Sequence, residues 1–165
     1  MSGAPLTLGD VTVGEEIPEL SVEVTPTTVV LGALASRDWR PMHHDYKFAT
    51  ERNGVRDIFL NTPNQAAWFE RFVTDWTGPT GRLGTMTFRM RDSVFPGDTM
   101  VFTATVTEVG TDEHGCGWAS LDVVLTATGP HRSEPKVCTT CSVRVALPTG
   151  PDDNPWARRG ADWAP

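Results

Sequence analysis

Between residues 62 and 76 apolar side chains recur at three- and four-residue intervals, at Ala66, Ala67, Phe69, Phe72, Val73 and Trp76. This is the chain's one long helical stripe. Asn61-Thr62-Pro63 supplies a helix start with proline in the first turn, and Gly78, Pro79 and Gly81 end it. After it the period changes to two. Met86, Phe88 and Met90 alternate with Thr85, Thr87, Arg89 and Arg91, and strands are predicted over 100–109, 116–128 and 137–147, separated by glycine-rich turns. A lone amphipathic helix can bury its stripe only in a curved sheet, so the predicted class is α+β: a long central helix wrapped by a curved antiparallel sheet, its four late strands in meander order.

The segment before the helix is more varied. Leu20, Val22 and Val24 alternate as a half-buried strand that Pro26 stops, and Thr27 or Thr28 caps a short helix ending near Ala35. Residues 36–46, SRDWRPMHHDY, read as a loop dense in ionisable and aromatic groups. The expected organisation is an N-terminal arm over 1–18, a domain over 19–147 and a C-terminal tail over 148–165 lying on the surface or on a partner. A chain of 165 residues can build its own core without metal or disulfide staples. Its net charge of −7 argues against nucleic acid and against anionic lipid. There is no stretch of eighteen apolar residues and no export signal at the start, and Cys116, Cys138 and Cys141 cannot all pair within one chain. The expectation is a cytoplasmic protein, with no membrane partner.

Asp38 and His43 stand five positions apart on that loop, with Pro41 between them, so both side chains can meet one water molecule. A carboxylate and an imidazole sharing a water form an acid/base pair. The alternative is that Asp38 caps a turn and His43 packs beneath the loop. His44, next in the chain, is expected to point elsewhere in a supporting role, and His114 and His131 sit in turns as solvated residues. Cys138 and Cys141 have the CxxC spacing, but within a strand a step of three puts the sulfurs on opposite faces, and no second pair completes a four-thiolate site. No metal site is expected.

The run ALASRDWRPMHHD resembles the hydratase signature of the MaoC-like (R)-specific enoyl-CoA hydratases, with Asp38 and His43 on the catalytic pair, Pro41 on the family's proline and Asp45 on its acidic position. Arg37 stands where the family usually has glycine, and Arg40 where it has asparagine. A closer resemblance is to the small subunit of the heteromeric enoyl-CoA hydratases of actinobacterial steroid side-chain degradation, through Ala35-Ser36-Arg37-Asp38, His43-His44-Asp45, Asp57-Ile58-Phe59, Asn61 and Phe72-Val73-Thr74-Asp75-Trp76. It runs from about Thr28 to Val145, and the tail after Leu147 is longer than that subunit's. The resemblance implies the hot-dog fold, hydration of a trans-2-enoyl-CoA, and pairing with a second hot-dog subunit, as homodimer or heteromer. It also implies that a backbone N–H at Asn61 or Thr62 meets the thioester oxygen, in a family that usually has glycine at Asn61. Asn61 acting only as an N-cap is the alternative. The chemistry implied needs no cofactor beyond the CoA thioester itself.

Two other functions are the alternatives, and the Asp38/His43 pair weighs against both. An acyl-CoA thioesterase would use a helix carboxylate, for which Glu70 is available, and a non-catalytic subunit would only bind acyl-CoA or a partner. Arg89, Arg91, Arg132, Lys136, Arg158 and Arg159 are expected mostly as solvated groups that can meet CoA phosphates. Trp68, Phe69, Phe72 and Trp76 are expected in the core or a subunit interface, with an apolar acyl group as a further possibility.

Overall fold

Residues 6–165 are described by a computed structural model and form β1 (Glu16–Glu23), α1 (Pro26–Ala35), α2 (Tyr46–Glu51), α3 (Thr62–Thr77), β2 (Arg82–Met90), β3 (Thr99–Thr111), β4 (Gly117–Thr128) and β5 (Lys136–Leu147). Residues 1–5 of the expected arm lie outside the described residues. The expected α3 starts at an Asn61 N-cap whose side chain accepts from the Asn64 N–H, and it stops at Gly78, which adopts a φ of 67°.

All five strands join one antiparallel sheet in the order β1-β3-β4-β5-β2. This corrects the expected meander: β3, β4 and β5 follow it, but β2 lies beside β5 at the far edge. The eight residues 91–98 make the crossing possible. They can span roughly 26 Å, well beyond the ~14 Å occupied by the three strand spacings from β2 past β5 and β4 to β3. Alternation identifies strands but is blind to which strands are neighbours.

The sheet wraps α3. Phe69 packs edge-on against Phe88 and Phe102, with ring centroids 5.3 and 5.0 Å apart, and Phe72 meets Phe102 at 5.9 Å. Full burial of each such ring contributes about 1.5–3 kcal/mol. The apolar face is narrower than the sequence suggests: Ala67 is exposed, while the polar Asn64 and Gln65 are buried.

Four local expectations are revised. β1 begins at Glu16 rather than after Pro18, because a register irregularity between Ile17 and Leu20 and an edge position accommodate the proline. The N-cap of α1 is Thr25, reciprocally bonded to Thr28, with Pro26 at the first helical position. The loop over 36–46 contains a 3₁₀ turn at Pro41–His43, and α2 starts within it, capped by Asp45. On β5 a bulge leaves Cys138 without a partner opposite Leu125 and Thr126, so Cys138 and Cys141 both enter the main core instead of opposite faces.

The tail lies on the outer face of the sheet. Trp163 stacks on Trp118 at 5.0 Å, and the Arg82 guanidinium sits 3.5 Å from the Trp163 ring. Among the described residues no helix is long and apolar enough to cross a membrane.

Candidate active site

Asp38 is placed by the way α1 ends. Its N–H donates to the Ala33 carbonyl at 2.9 Å, and the Arg37 N–H donates to Leu34 at 3.0 Å. This is the paired hydrogen bonding of a Schellman turn, which requires a left-handed residue between cap and exit. Arg37 fills that position with a φ of 54°. It is the position at which the family resemblance has glycine, and the geometry explains that preference.

His43 closes the 3₁₀ turn and is buried. Its Nδ1 lies 2.7 Å from the Phe59 carbonyl oxygen. A carbonyl can only accept, so Nδ1 carries a proton, and in the uncharged form of the ring the lone pair is on Nε2. That Nε2 faces Asp38 Oδ2 at 3.6 Å, too long for a direct hydrogen bond and suited to a shared water. The Phe59 ring meets the imidazole edge-on at 4.8 Å.

Asn61 joins the two loops. Its Oδ1 accepts the Asn64 N–H at 3.2 Å, which turns Nδ2 toward Asp38 Oδ2 at 3.1 Å and Ser36 Oγ at 2.8 Å. Asn61 is therefore an N-cap and also a donor to the carboxylate. The Asn61 hydrogen bond holds the Asp38 carboxyl below its ordinary range against the opposing effect of burial, with the Arg40 N–H and the charges of His43 and Arg40 adding to it. Ser36 donates to the Gly32 carbonyl at 2.7 Å and so presents a lone pair to Asn61.

Asp38, His43, Phe59 and Asn61 line a cavity of about 370 Å³ together with Leu60, Thr62, Gln65, Met90 and Arg91. The backbone N–H groups of Asn61 and Thr62 have no acceptor among the described residues, at the positive end of a 16-residue helix. Thr62 is exposed, its hydroxyl 3.5 Å from Met90 Sδ.

Several residues fall elsewhere. His44 is exposed and makes no hydrogen bond to Asp38 or His43; the supporting contacts come from Ser36, Asn61 and the Phe59 carbonyl. Glu70 is exposed and does not line the cavity. Arg132 is not a solvated group, because Asp98, a fully buried carboxylate, binds it at 2.8 Å and Arg56 at 2.7 Å. Arg158 is likewise bound, to Asp153 at 3.0 Å and to the Gly115 carbonyl. Burial pushes the Cys141 thiol up to about 12, which removes it from nucleophilic chemistry near neutrality. Gln65 was not singled out by sequence, although it is a polar residue one turn after Asn61 on a helix packed by its apolar stripe.

A family model for the MaoC like domain matches residues 11–123. The 3-oxo-4,17-pregnadiene-20-carboxyl-CoA hydratase beta subunit of Mycobacterium tuberculosis is 37% identical over 97 residues, 59% of this chain and 74% of that protein. In the crystal structure of the ChsH1-ChsH2 complex from the same organism, one chain is 31% identical with a TM-score of 0.72, over 82% of this chain and 98% of that one. The unliganded R-hydratase PhaJ1 of Pseudomonas aeruginosa superposes with a TM-score of 0.74 at 16% identity, over 88% of each chain, a likeness of fold alone. With its helix wrapped by a five-stranded antiparallel sheet, the chain has the hot-dog fold and belongs to the MaoC-like domain family.

Proposed function

We propose that this chain is an enoyl-CoA hydratase that adds water to a trans-2-enoyl-CoA, working with a second hot-dog subunit. The observation that carries the reading is the orientation of His43: with Nδ1–H donated to Phe59, the free Nε2 faces an ionised Asp38 across 3.6 Å. A water held there donates one hydrogen to Asp38 Oδ2 and the other to His43 Nε2. As its oxygen bonds to the β-carbon, Nε2 takes the proton, and the electron pair of the double bond moves through the α-carbon onto the thioester oxygen. The N–H of Asn61 or Thr62 at the start of α3 steadies that enolate. The imidazolium then returns a proton to the α-carbon, which completes the 3-hydroxyacyl-CoA. Proton transfers alone balance the reaction, so it calls for neither metal nor redox cofactor.

The relative at 37% identity is named as the beta subunit of a hydratase acting on a steroid carboxyl-CoA, and a similar solved chain was crystallised in a two-component complex. These support a steroid side-chain acyl group and a heteromeric assembly for this chain, the partner enclosing a cavity that is open in the single subunit. The test is hydration of crotonyl-CoA and of a steroid 2-enoyl-CoA, with the protein alone and with the second subunit. Asp38→Asn and His43→Ala are each expected to lower kcat/KM by about 10²-fold or more, whereas Glu70→Gln leaves it unchanged. Wild-type turnover in either of the first two variants overturns the assignment. Release of free CoA that depends on Glu70 points to a thioesterase.

A further inference from the structure

One buried polar group on the cavity wall has hydrogen-bond donors left over. Gln65 stands four residues after Asn61 on the same face of α3 and is only 3% exposed. Its Oε1 accepts the hydroxyl of Thr139, itself fully buried on β5, at 2.8 Å. This bond turns the amide so that Nε2, with two N–H donors, is directed away from the sheet. Nε2 meets no acceptor among the described residues, and it is not one of the polar atoms sealed from solvent without a partner. The open space that Gln65 lines is the cavity holding Asp38 and His43. Nε2 is therefore aimed into that cavity.

We infer that Gln65 is a specificity residue that donates from Nε2 to an oxygen carried by the acyl group, so that the preferred substrates are 2-enoyl thioesters with a hydroxyl or carbonyl at the fourth or fifth carbon. The inference rests on the hydratase reading for the position of the thioester, whose carbonyl oxygen is taken to lie at the Asn61 and Thr62 N–H groups. About one helical turn, 5.4 Å, separates those donors from Gln65 along α3. An extended acyl chain covers a similar distance between its first and fifth carbons. A plain hydrocarbon at that point strips water from Nε2 and returns no acceptor. Sites built to bind a substrate oxygen reject the analogue that lacks it for this reason. Thr139 holds the amide in place, so the discrimination belongs to the pair.

The experiment measures binding of two unreactive ligands, hexanoyl-CoA and 5-oxohexanoyl-CoA, by calorimetry with the full-length chain assembled with its second hot-dog subunit. It is run on the wild type, Gln65→Leu and Gln65→Glu, alongside hydration of trans-2-hexenoyl-CoA. The wild type is expected to bind the oxo ligand about tenfold tighter or more. Gln65→Leu should erase that preference by weakening the oxo ligand, and Gln65→Glu, which offers only acceptors, should invert it. Equal affinities in the wild type, an unchanged ratio in Gln65→Leu, or failure to bind either ligand overturns the proposal. The wild-type comparison stands even where a variant does not fold. Lost hydration with the affinity ratio intact counts against the hydratase reading alone, and intact hydration with a ratio of one counts against Gln65 alone.

Discussion

Along α3 the first turn and the two turns after Trp68 bury opposite kinds of surface. At the start, Asn61, Asn64 and Gln65 are buried with their amides bonded to Asp38 and Ser36, to Thr28 and to Thr139. Further on, Phe69, Phe72 and Val73 bury hydrocarbon alone among Phe88, Phe102 and the sheet. Hydrocarbon contacts are non-directional and tolerate exchange for similar volumes, whereas a buried amide is favourable only when its partner stands within a few tenths of an ångström. The helix thus joins a stabilising body to a positioning head. Substitutions in the two halves should separate stability from activity.

The largest effect is expected in the body. Phe69→Ala removes a fully buried ring touching two others and should cost about 3–5 kcal/mol in chemical denaturation. Where the variant still folds, kcat/KM per folded molecule should change little, because Phe69 does not line the cavity that holds Asp38, His43 and Asn61. A loss of kcat/KM matching that of His43→Ala in fully folded Phe69→Ala would break the division.

At the seam between α1 and α3 the helices approach closely because residue 32 is glycine. A Cβ there would lie 1.8 Å from Asn64 Nδ2 and 2.3 Å from its Cγ. Nδ2 donates to the Thr28 carbonyl at 3.1 Å and cannot swing aside without giving up that bond. Gly32→Ala should therefore destabilise by about 1–3 kcal/mol, even though alanine is the better helix former by up to ~1 kcal/mol. The double variant Gly32→Ala/Asn64→Ala should recover part of the loss, a coupling that a thermal melt of all four proteins measures.

Asn61→Ala tests the head directly. Loss of the cap should cost about 1 kcal/mol. The larger consequence is for Asp38, whose lowered pKa has the Asn61 hydrogen bond as its first cause. The stabilisation linked to that shift is present above the ordinary carboxylate pKa and disappears as pH falls through the lower folded value. The penalty of Asn61→Ala should accordingly be greater at pH 7 than under strongly acid conditions. If an ionised Asp38 is needed for turnover, the acid limb of kcat/KM should also move to higher pH. An unmoved limb would show that Asn61 caps the helix without tuning the carboxylate.

The contrast between head and body also explains what could be read from the sequence. Asp38 and His43 were legible because a short loop brings them together whatever the rest of the chain does, and the α3 stripe was legible because periodicity reports burial of hydrocarbon. The second role of Asn61 was not. Its contact with Asp38 spans 23 residues and joins the end of α1 to the start of α3, two helices that approach closely at Gly32. Gln65 was hidden for a similar reason, since its partner Thr139 lies 74 residues away beside a bulge that alternation cannot foresee. Six-residue α2 is too short for a periodic signal, although Asp45 as its cap was a usable cue.

The smallest effect concerns the turn that delivers Asp38. Arg37 holds a left-handed φ of 54° that costs an ordinary L-residue about 1–2 kcal/mol and glycine almost nothing. Glycine, however, loses more chain entropy on folding, by roughly 0.4–1 kcal/mol. The two effects nearly offset, so Arg37→Gly should change stability by no more than ~1 kcal/mol and leave kcat/KM near wild type. Arg37→Val meets the full steric cost with a β-branched side chain, and it should both destabilise the protein and lower kcat through displacement of Asp38. If valine proves as harmless as glycine, the Schellman turn is not what sets the carboxylate's position, and the Asn61 and Arg40 N–H donors alone must hold it.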